Sequence, residues 1–302
     1  MTQNTLAQKI KVPAAYVVCA VIWGTTWFAI RVCIAPGGTR SMRLLRFGFP
    51  FAVLIIVVPG LAGVVSLKRQ KERHLWWLCA AGLFNAASYA LVFAGEQSVP
   101  GGVAAVLFAS LPLVTAIAAV VTRTEPISAS QIAAALIACV GIAVIFWDRL
   151  SVSRQQALGV VMIMVAVVTT ASYTLIFKRK AHEAHSLSAT AIFLAVTGVG
   201  LWCFSFTRGW KPLPWPLPLR PTVALLYMSI FGSVIAFGCY IYLLKNVSMM
   251  TVVTLVMVEP VIALVIDRFW EYQIRLVPRS YAGAAMTLCG ILVSLLLKPK
   301  PA

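Results

Sequence analysis

Ten long blocks of apolar residues follow one another along the chain, separated by short polar breaks. A bilayer core about 30 Å thick needs roughly 20 apolar residues in a helix, and each block is near that length. Period-two alternation, the pattern of a β-barrel strand, is absent from them. The pattern therefore predicts an all-α polytopic membrane protein with ten transmembrane helices. The predicted spans are residues 14–30, 47–65, 75–95, 103–122, 130–147, 157–177, 187–206, 223–244, 250–266 and 280–297.

The composition agrees with this prediction and excludes two other classes of protein. Apolar residues make up 61% of the 302 residues, charged residues only 11%, and the mean hydropathy is +0.93. Soluble domains average about 25% charged residues, so this chain could not cover itself with a polar surface. Disorder needs low hydrophobicity and is excluded as well.

The chain is strongly basic, with 25 Lys and Arg against 8 Asp and Glu and a formal net charge of +17. The basic residues lie almost entirely between the apolar blocks, where loops face anionic lipid headgroups, so we expect a bilayer and not a nucleic acid as the partner. The two dense basic clusters, in loops 66–74 and 178–185, fall on the same side of the predicted membrane. The positive-inside rule then predicts that both termini are cytoplasmic.

The seven cysteines lie within or at the edge of apolar blocks, and none forms a CxxC pair. We interpret them as small buried hydrophobes, and we expect no metal and no cofactor. The three histidines, His74, His182 and His185, are predicted to lie in solvated loops.

Four stretches of the chain recur, in order, at an offset of 147 to 149 residues. This predicts a five-helix duplication, with repeats at residues 1–150 and 151–302. Because five is odd, the second copy enters the membrane from the opposite side, which is the inverted repeat found in many secondary transporters. The paired stretches are Trp23–Arg31 with Thr170–Lys178, Ser98–Val99 with Asn246–Val247, Leu107–Val114 with Leu255–Ile262, and Ala133–Ile142 with Ala282–Ile291.

At these residues the chain resembles the EamA-type branch of the drug/metabolite transporter superfamily. The resemblance implies ten helices in two inverted repeats, cytoplasmic termini, and transport of small metabolites, often export of amino acids or drugs. Two segments, 38–43 and 267–275, depart from the family pattern. The pieces that carry the resemblance are Ile22–Thr26, Leu45–Phe47, Ser110–Leu113, Glu125, Ala135–Ile142, Glu259–Val261 and Ala282–Ile291.

Polar and aromatic side chains form narrow stripes on several predicted spans, and such side chains usually face a bundle interior. We expect these stripes to line a central cavity for an amphipathic substrate. The alternative is that the hydroxyls bond their own backbone or join neighbouring helices. The predicted substrate-binding residues are Trp23, Thr26, Asn85, Ser88, Tyr89, Ser110, Tyr173, Ser233 and Tyr240.

Glu259 is the only carboxylate well inside a predicted span, and Pro260 follows it directly. Proline leaves a carbonyl of the preceding turn without its amide donor, so an acid at this break is a candidate proton carrier. The alternative is an acid that fixes helix packing. Glu96, near a span end, is a second and weaker candidate. Arg46 either reaches the headgroups or captures a substrate carboxylate.

These observations favour a secondary transporter of the inner membrane, without enzymatic activity, that works by alternating access. Its expected cargo is a small amphipathic metabolite, foremost an amino acid, aromatic ones included, and export is implied by the resemblance alone. No phosphate-binding loop and no hydrolase motif is visible. The alternatives are an exporter of cationic drugs and, from another class, an intramembrane lipid-modifying enzyme. The oligomeric state stays open, and a monomer is compatible with the sequence.

Overall fold

The computed structural model describes residues 2–34, 72–95, 98–99, 107–145, 147, 156–181, 183–184, 186–207, 219–270 and 278–296. Within these ranges every regular element is helical. The elements are α1 (Thr2–Ile34), α2 (Glu72–Gly95), α3 (Leu111–Thr122), α4 (Ala129–Ile145), α5 (Ala157–Lys180), α6 (Ser186–Thr207), α7 (Leu219–Tyr227), a π-helical segment (Met228–Ile235), α8 (Ala236–Asn246), α9 (Met249–Val253), α10 (Leu255–Trp270) and α11 (Pro278–Leu296).

Each described helix overlaps one of the predicted spans, although α1 begins well before the span 14–30 and the span 250–266 is divided between α9 and α10. Three continuous helical stretches are long and apolar enough to cross a membrane. They are His74–Val92 in α2, Ala157–Lys180, which is α5, and Thr222–Asn246, which runs through α7, the π-helical segment and α8. This confirms the prediction of an all-α chain with apolar helices suited to a membrane. The second predicted span, 47–65, lies outside the described residues, so the total of ten helices stays a prediction.

Local sequence signals end α3 and begin α4. Arg123 has a φ of 52°, the left-handed conformation that closes a helix, and the Thr124 N–H donates to Ala119 O at 2.9 Å. Ser128 and Gln131 then form a capping box, in which the Gln131 N–H donates to the Ser128 hydroxyl and Gln131 Oε1 accepts from the Ser128 N–H. The connector between the two helices is therefore closed by its own hydrogen bonds.

The chain folds into two compact units that each combine both halves of the sequence. The first unit consists of residues 1–86 and 176–247, and the second of residues 87–175 and 248–302. The boundaries fall inside α2 and α5, so each of these helices contributes to both units.

In the second unit, α4 packs against α11 at very short range. A Cβ on Gly141 would lie 2.6 Å from the Thr287 nitrogen and 2.7 Å from the Gly283 oxygen. A Cβ on Gly290 would lie 2.7 Å from both the Ala134 oxygen and the Ala138 nitrogen. Later residues of one helix thus meet earlier residues of the other, so the two helices are antiparallel.

In the first unit, α1 packs along α7, the π-helical segment and α8, and α6 packs against α8. The part of α2 that belongs to this unit approaches α6 closely, since a Cβ on Gly82 would lie 2.9 Å from the Phe193 oxygen. Large buried side chains, Phe193 and Phe237 among them, fill the spaces that these helices leave.

Candidate substrate site

Trp23 of α1 holds a central position among the predicted site residues of the first unit. Its indole Nε1 donates to the Gly232 carbonyl at 3.1 Å. Its ring centroid lies 5.3 Å from that of Phe237 and 5.3 Å from that of Tyr240. The cluster continues from Phe237 to Phe193 at 5.1 Å. The structure therefore brings together two predicted residues, Trp23 and Tyr240, in one aromatic cluster.

The π-helical segment carries the carbonyl that Trp23 binds. Ser233 donates to Met228 O, five residues earlier, at 3.2 Å, which matches the wider π spacing. A Cβ on Gly232 would lie 3.0 Å from the Thr26 methyl, so α1 and the segment are in close contact there. Segments of this kind occur frequently at functional sites. Hydropathy could not reveal it, because an apolar helix face looks the same with either spacing.

Asn85 and Ser88, one turn apart on α2, bond to two different helices. Asn85 is 1% exposed and its amide donates to the Thr197 hydroxyl of α6 at 3.1 Å. Ser88 lies 2.7 Å from the Thr170 hydroxyl of α5 and donates to Ala166 O at 3.2 Å. Thr197 and Thr170 were not among the predicted residues, although both are polar residues in the middle of apolar blocks.

Other predicted hydroxyls bond backbone of their own segment. Thr26 donates to Trp23 O at 2.7 Å, and Ser110 donates to Leu107 O at 2.6 Å. These contacts are of the kind expected from the alternative interpretation given above, in which the hydroxyl serves its own helix.

The remaining predicted residues lie in the second unit or outside the described chain. Tyr173 is 6% exposed, Tyr89 is half-buried, and Glu259 is 7% exposed on α10. Glu96 and Arg46 lie outside the described residues. The common cavity that joins all the predicted residues stays a prediction.

Charged side chains also form hydrogen bonds at helix ends in each unit. In the first unit, Lys178 donates to Leu244 O at 3.0 Å and to Val247 O at 2.6 Å, and Lys245 donates to Ala184 O. A cation at a helix C-terminus is favoured by the helix dipole.

In the second unit, a carboxylate accepts a hydrogen bond at the start of a helix. Glu125, one of the residues that carry the resemblance, accepts a hydrogen bond from the Met249 N–H at 2.9 Å. A carboxylate is the charge favoured at a helix N-terminus.

One histidine prediction is wrong. His74 was expected in a solvated loop, but it begins the apolar part of α2, is 6% exposed, and places Nε2 at 3.7 Å from Glu183 Oε2. The prediction failed because the span was expected to begin at residue 75, after the basic cluster, whereas α2 begins at Glu72. His182 and His185 lie outside the described residues. Among the described residues, no three His, Cys, Asp or Glu side chains are grouped as a metal site needs.

Equivalent residues of the two predicted repeats make equivalent contacts. Ser88 Oγ donates to Ala166 O in the second unit at 3.2 Å. In the first unit, Cys19 Sγ donates to Ala236 O at 3.5 Å. The offset from Cys19 to Ala166 is 147 residues and that from Ser88 to Ala236 is 148 residues, the same offsets that relate the repeated stretches.

The comparisons with known proteins agree with this geometry. The model of the EamA-like transporter family matches the chain twice, over residues 12–147 and 157–296. Protein PagO of Salmonella typhimurium is 23% identical over 97% of this chain and 96% of its own length. A protein of Streptantibioticus cattleyicolor named "Probable terminal-alkyne amino-acid exporter" is 23% identical over 92% of this chain and 91% of its own length.

A third relative and a solved structure are also similar to this chain. The "Uncharacterized inner membrane transporter YedA" of Escherichia coli K12 is 28% identical over 82% of this chain and 78% of its own length. A solved crystal structure shares the fold, with a TM-score of 0.77 and 17% identity over 94% of this chain and 96% of that one.

The apolar helices and these matches together define a membrane transporter. The chain belongs to the EamA-like transporter family, because the family model covers nearly all of it in two copies.

Proposed function

We propose that this transporter exports a small amphipathic metabolite, an amino acid first among the candidates, by alternating access of two inverted five-helix repeats. The proposal also places the protein in the inner membrane with both termini in the cytoplasm. The observation that carries it is that repeat-equivalent residues of the second unit belong to one buried cluster and make reciprocal contacts there.

One buried cluster of the second unit is built largely from such equivalent pairs. These pairs are Ala109 with Met257, Leu113 with Val261, Ala135 with Ala284, and Ile142 with Ile291. The contacts of Gly141 with Gly283 and Thr287 have their counterparts in those of Gly290 with Ala134 and Ala138. A contact set that maps onto itself when the partners are exchanged is the mark of a local two-fold axis.

The direction of these helices supports inversion. Gly141 and Gly290 are equivalent residues, and the helices that carry them are antiparallel. Equivalent helices that cross a membrane in opposite directions belong to repeats of opposite topology. Such repeats place the substrate site near the midplane, where one half moves against the other.

The substrate class is supported by the side chains of the first unit and by one relative. Trp23 and Tyr240 present an indole and a phenol, which combine an apolar ring with a polar tip, and Trp23 is only half-buried. Asn85 and Ser233 bring an amide and a hydroxyl to the same unit. The relative named as a terminal-alkyne amino-acid exporter supports an amino acid as cargo and export as the direction.

The test is counterflow in liposomes loaded with a mixed amino-acid pool. We expect saturable exchange by the parent protein and its loss in Asn85→Ala and Tyr89→Ala. The matched control is Thr197→Val, because it removes the hydroxyl that Asn85 binds and leaves the amide in place. A substrate role for Asn85 raises KM in Asn85→Ala well beyond any change in Thr197→Val.

The other outcomes are equally informative. Equal kinetic changes in Asn85→Ala and Thr197→Val would assign Asn85 to helix packing alone. Retained exchange with an altered pH dependence in Glu259→Gln would make Glu259 the coupling acid. Absence of exchange for every amino acid, in folded protein, rejects the cargo and makes cationic drugs the next substrates to measure.

A further inference from the structure

A tryptophan–lysine patch occupies one end of the first unit, formed by Trp76 and Trp77 of α2 and by Arg179 and Lys180 of α5. The Lys180 ammonium lies 5.4 Å from the centroid of the Trp77 ring, within cation–π range. Trp76 is 77% exposed and Trp77 is 36% exposed. Arg179 and Lys180 are exposed as well. Trp76 and Arg179 are the chain neighbours of this contacting pair, so the two helix ends together carry two exposed rings and two exposed cations.

The ends of the two apolar stretches give this patch an expected position at the depth of lipid headgroups. The stretch of α2 that is long and apolar enough to cross a membrane begins at His74, and that of α5 ends at Lys180. The four residues therefore stand where the apolar stretch of each helix gives way to polar sequence. Tryptophan rings prefer this level of a bilayer, and lysine and arginine side chains extend toward it.

Two charged neighbours among the described residues, Lys178 and Glu183, contact groups other than the two cations. Lys178 is half-buried and donates to two backbone carbonyls, so its charge serves the end of α8. Glu183 places its carboxylate at 3.7 Å from the His74 imidazole. Among the side chains that the structure describes at this end, Arg179 and Lys180 are therefore the exposed cations.

We propose that the tryptophan–lysine patch is a binding site for the headgroup of an anionic phospholipid. Arg179 offers a planar pair of donors to phosphate oxygens, and Lys180, held over Trp77, adds a second cation. The two indoles lie beside the glycerol and ester region. This site is distinct from the substrate site and does not depend on which substrate is transported.

Native mass spectrometry of the detergent-purified full chain tests the proposal. The probes are phosphatidylglycerol and phosphatidylcholine with identical acyl chains. We expect phosphatidylglycerol to bind more tightly, with a loss of about fivefold in affinity for each cation removed in Arg179→Gln and Lys180→Gln. Trp77→Leu should weaken binding by about twofold to threefold through loss of the cation–π contact.

The matched control is the double variant Lys9→Gln with Lys11→Gln. Both lysines are exposed on α1, and their removal changes the net charge by the same amount as removal of Arg179 and Lys180. We expect less than a twofold change, and Lys180→Arg should retain binding. If the double variant Arg179→Gln with Lys180→Gln lost no more affinity than the double variant of Lys9 and Lys11, the effect would be one of general charge and the proposal would be overturned.

A final arm separates a lipid from a free anion. Inorganic phosphate should displace phosphatidylglycerol no better than chloride at the same ionic strength. Specific displacement by phosphate, or equal affinity for the two lipids, would overturn the lipid assignment. Thermal unfolding of each variant establishes that the binding losses occur in folded protein.

Discussion

The α4–α11 contact of the second unit and the α1–α8 contact of the first unit join helices by opposite means. Between α4 and α11 the side chains are small, and Gly141 and Gly290 let backbone approach backbone. Between α1 and α8 the contact is made by rings, with Trp23 packed on Phe237 and Tyr240. In the first case a methyl group has no room, and in the second a side chain spans the gap.

This difference indicates where the molecule is rigid and where it can adjust. Close backbone contact has one geometry, because any sliding brings Cα and carbonyl atoms into collision. Rings and a π-helical segment have alternative rotamers and hydrogen bonds, and Gly232 offers a carbonyl that Trp23 can release. We therefore expect the α4–α11 pair to serve as a scaffold and the α1 contact to tolerate motion.

The largest effect is expected from Gly141→Ala. The new Cβ would lie 2.5 Å from the Thr287 hydroxyl and 2.6 Å from the Thr287 nitrogen, so the two helices must separate. Overpacking of this kind should lower the free energy of unfolding by about 2–3 kcal/mol. Thermal unfolding in detergent measures the change.

The chain supplies a matched control for this substitution. A Cβ on Gly238 of α8 would have no atom within 4 Å. Gly238→Ala should therefore stabilise by about 0.5–1 kcal/mol through the loss of glycine flexibility. If both variants moved the melting temperature in the same direction, close packing around Gly141 would not explain the effect of Gly141→Ala.

An intermediate effect is expected from Trp23→Phe. Phenylalanine keeps a ring against Phe237 but cannot donate to the Gly232 carbonyl, which costs about 1–2 kcal/mol. Trp147, which is 64% exposed, gives the control Trp147→Phe, for which we expect a change below about 0.5 kcal/mol. The same unfolding experiment compares them, and equal changes would count against a role for the indole N–H.

The smallest effects, of opposite sign, are expected from two buried threonines of the second unit. Thr287 donates to Gly283 O within α11 at 2.9 Å and to Ala138 O of α4 at 3.4 Å, so Thr287→Val should destabilise by about 0.6 kcal/mol. Thr115 is fully buried and its hydroxyl has no hydrogen-bond partner among the described residues, so Thr115→Val should stabilise by up to about 1 kcal/mol. If Thr115→Val destabilised the protein, the expectation that this hydroxyl makes no stabilising hydrogen bond would be wrong.

Much of the fold could be predicted from the sequence, because a bilayer imposes a length and a polarity on every helix that crosses it. The bounds of α5, predicted as 157–177 and found as Ala157–Lys180, illustrate this. The duplication could also be predicted from the sequence. Ser88 and Ala236, which occupy equivalent positions of the two repeats, illustrate the reason, because Ser88 contacts Ala166 and Ala236 contacts Cys19, the equivalent of Ala166. Equivalent positions keep equivalent contacts, so residue types and spacing are retained at a constant offset.

Only the tertiary structure decided which groups the polar side chains meet. Periodicity places Asn85 and Ser88 on one face of α2, but it cannot show that one binds Thr197 and the other Thr170. Nor could it reveal the π-helical segment or the burial of His74. The physical reason is that hydropathy records transfer from water to lipid, which is a property of single helices. Hydrogen bonds and close packing depend on which neighbour a helix face meets.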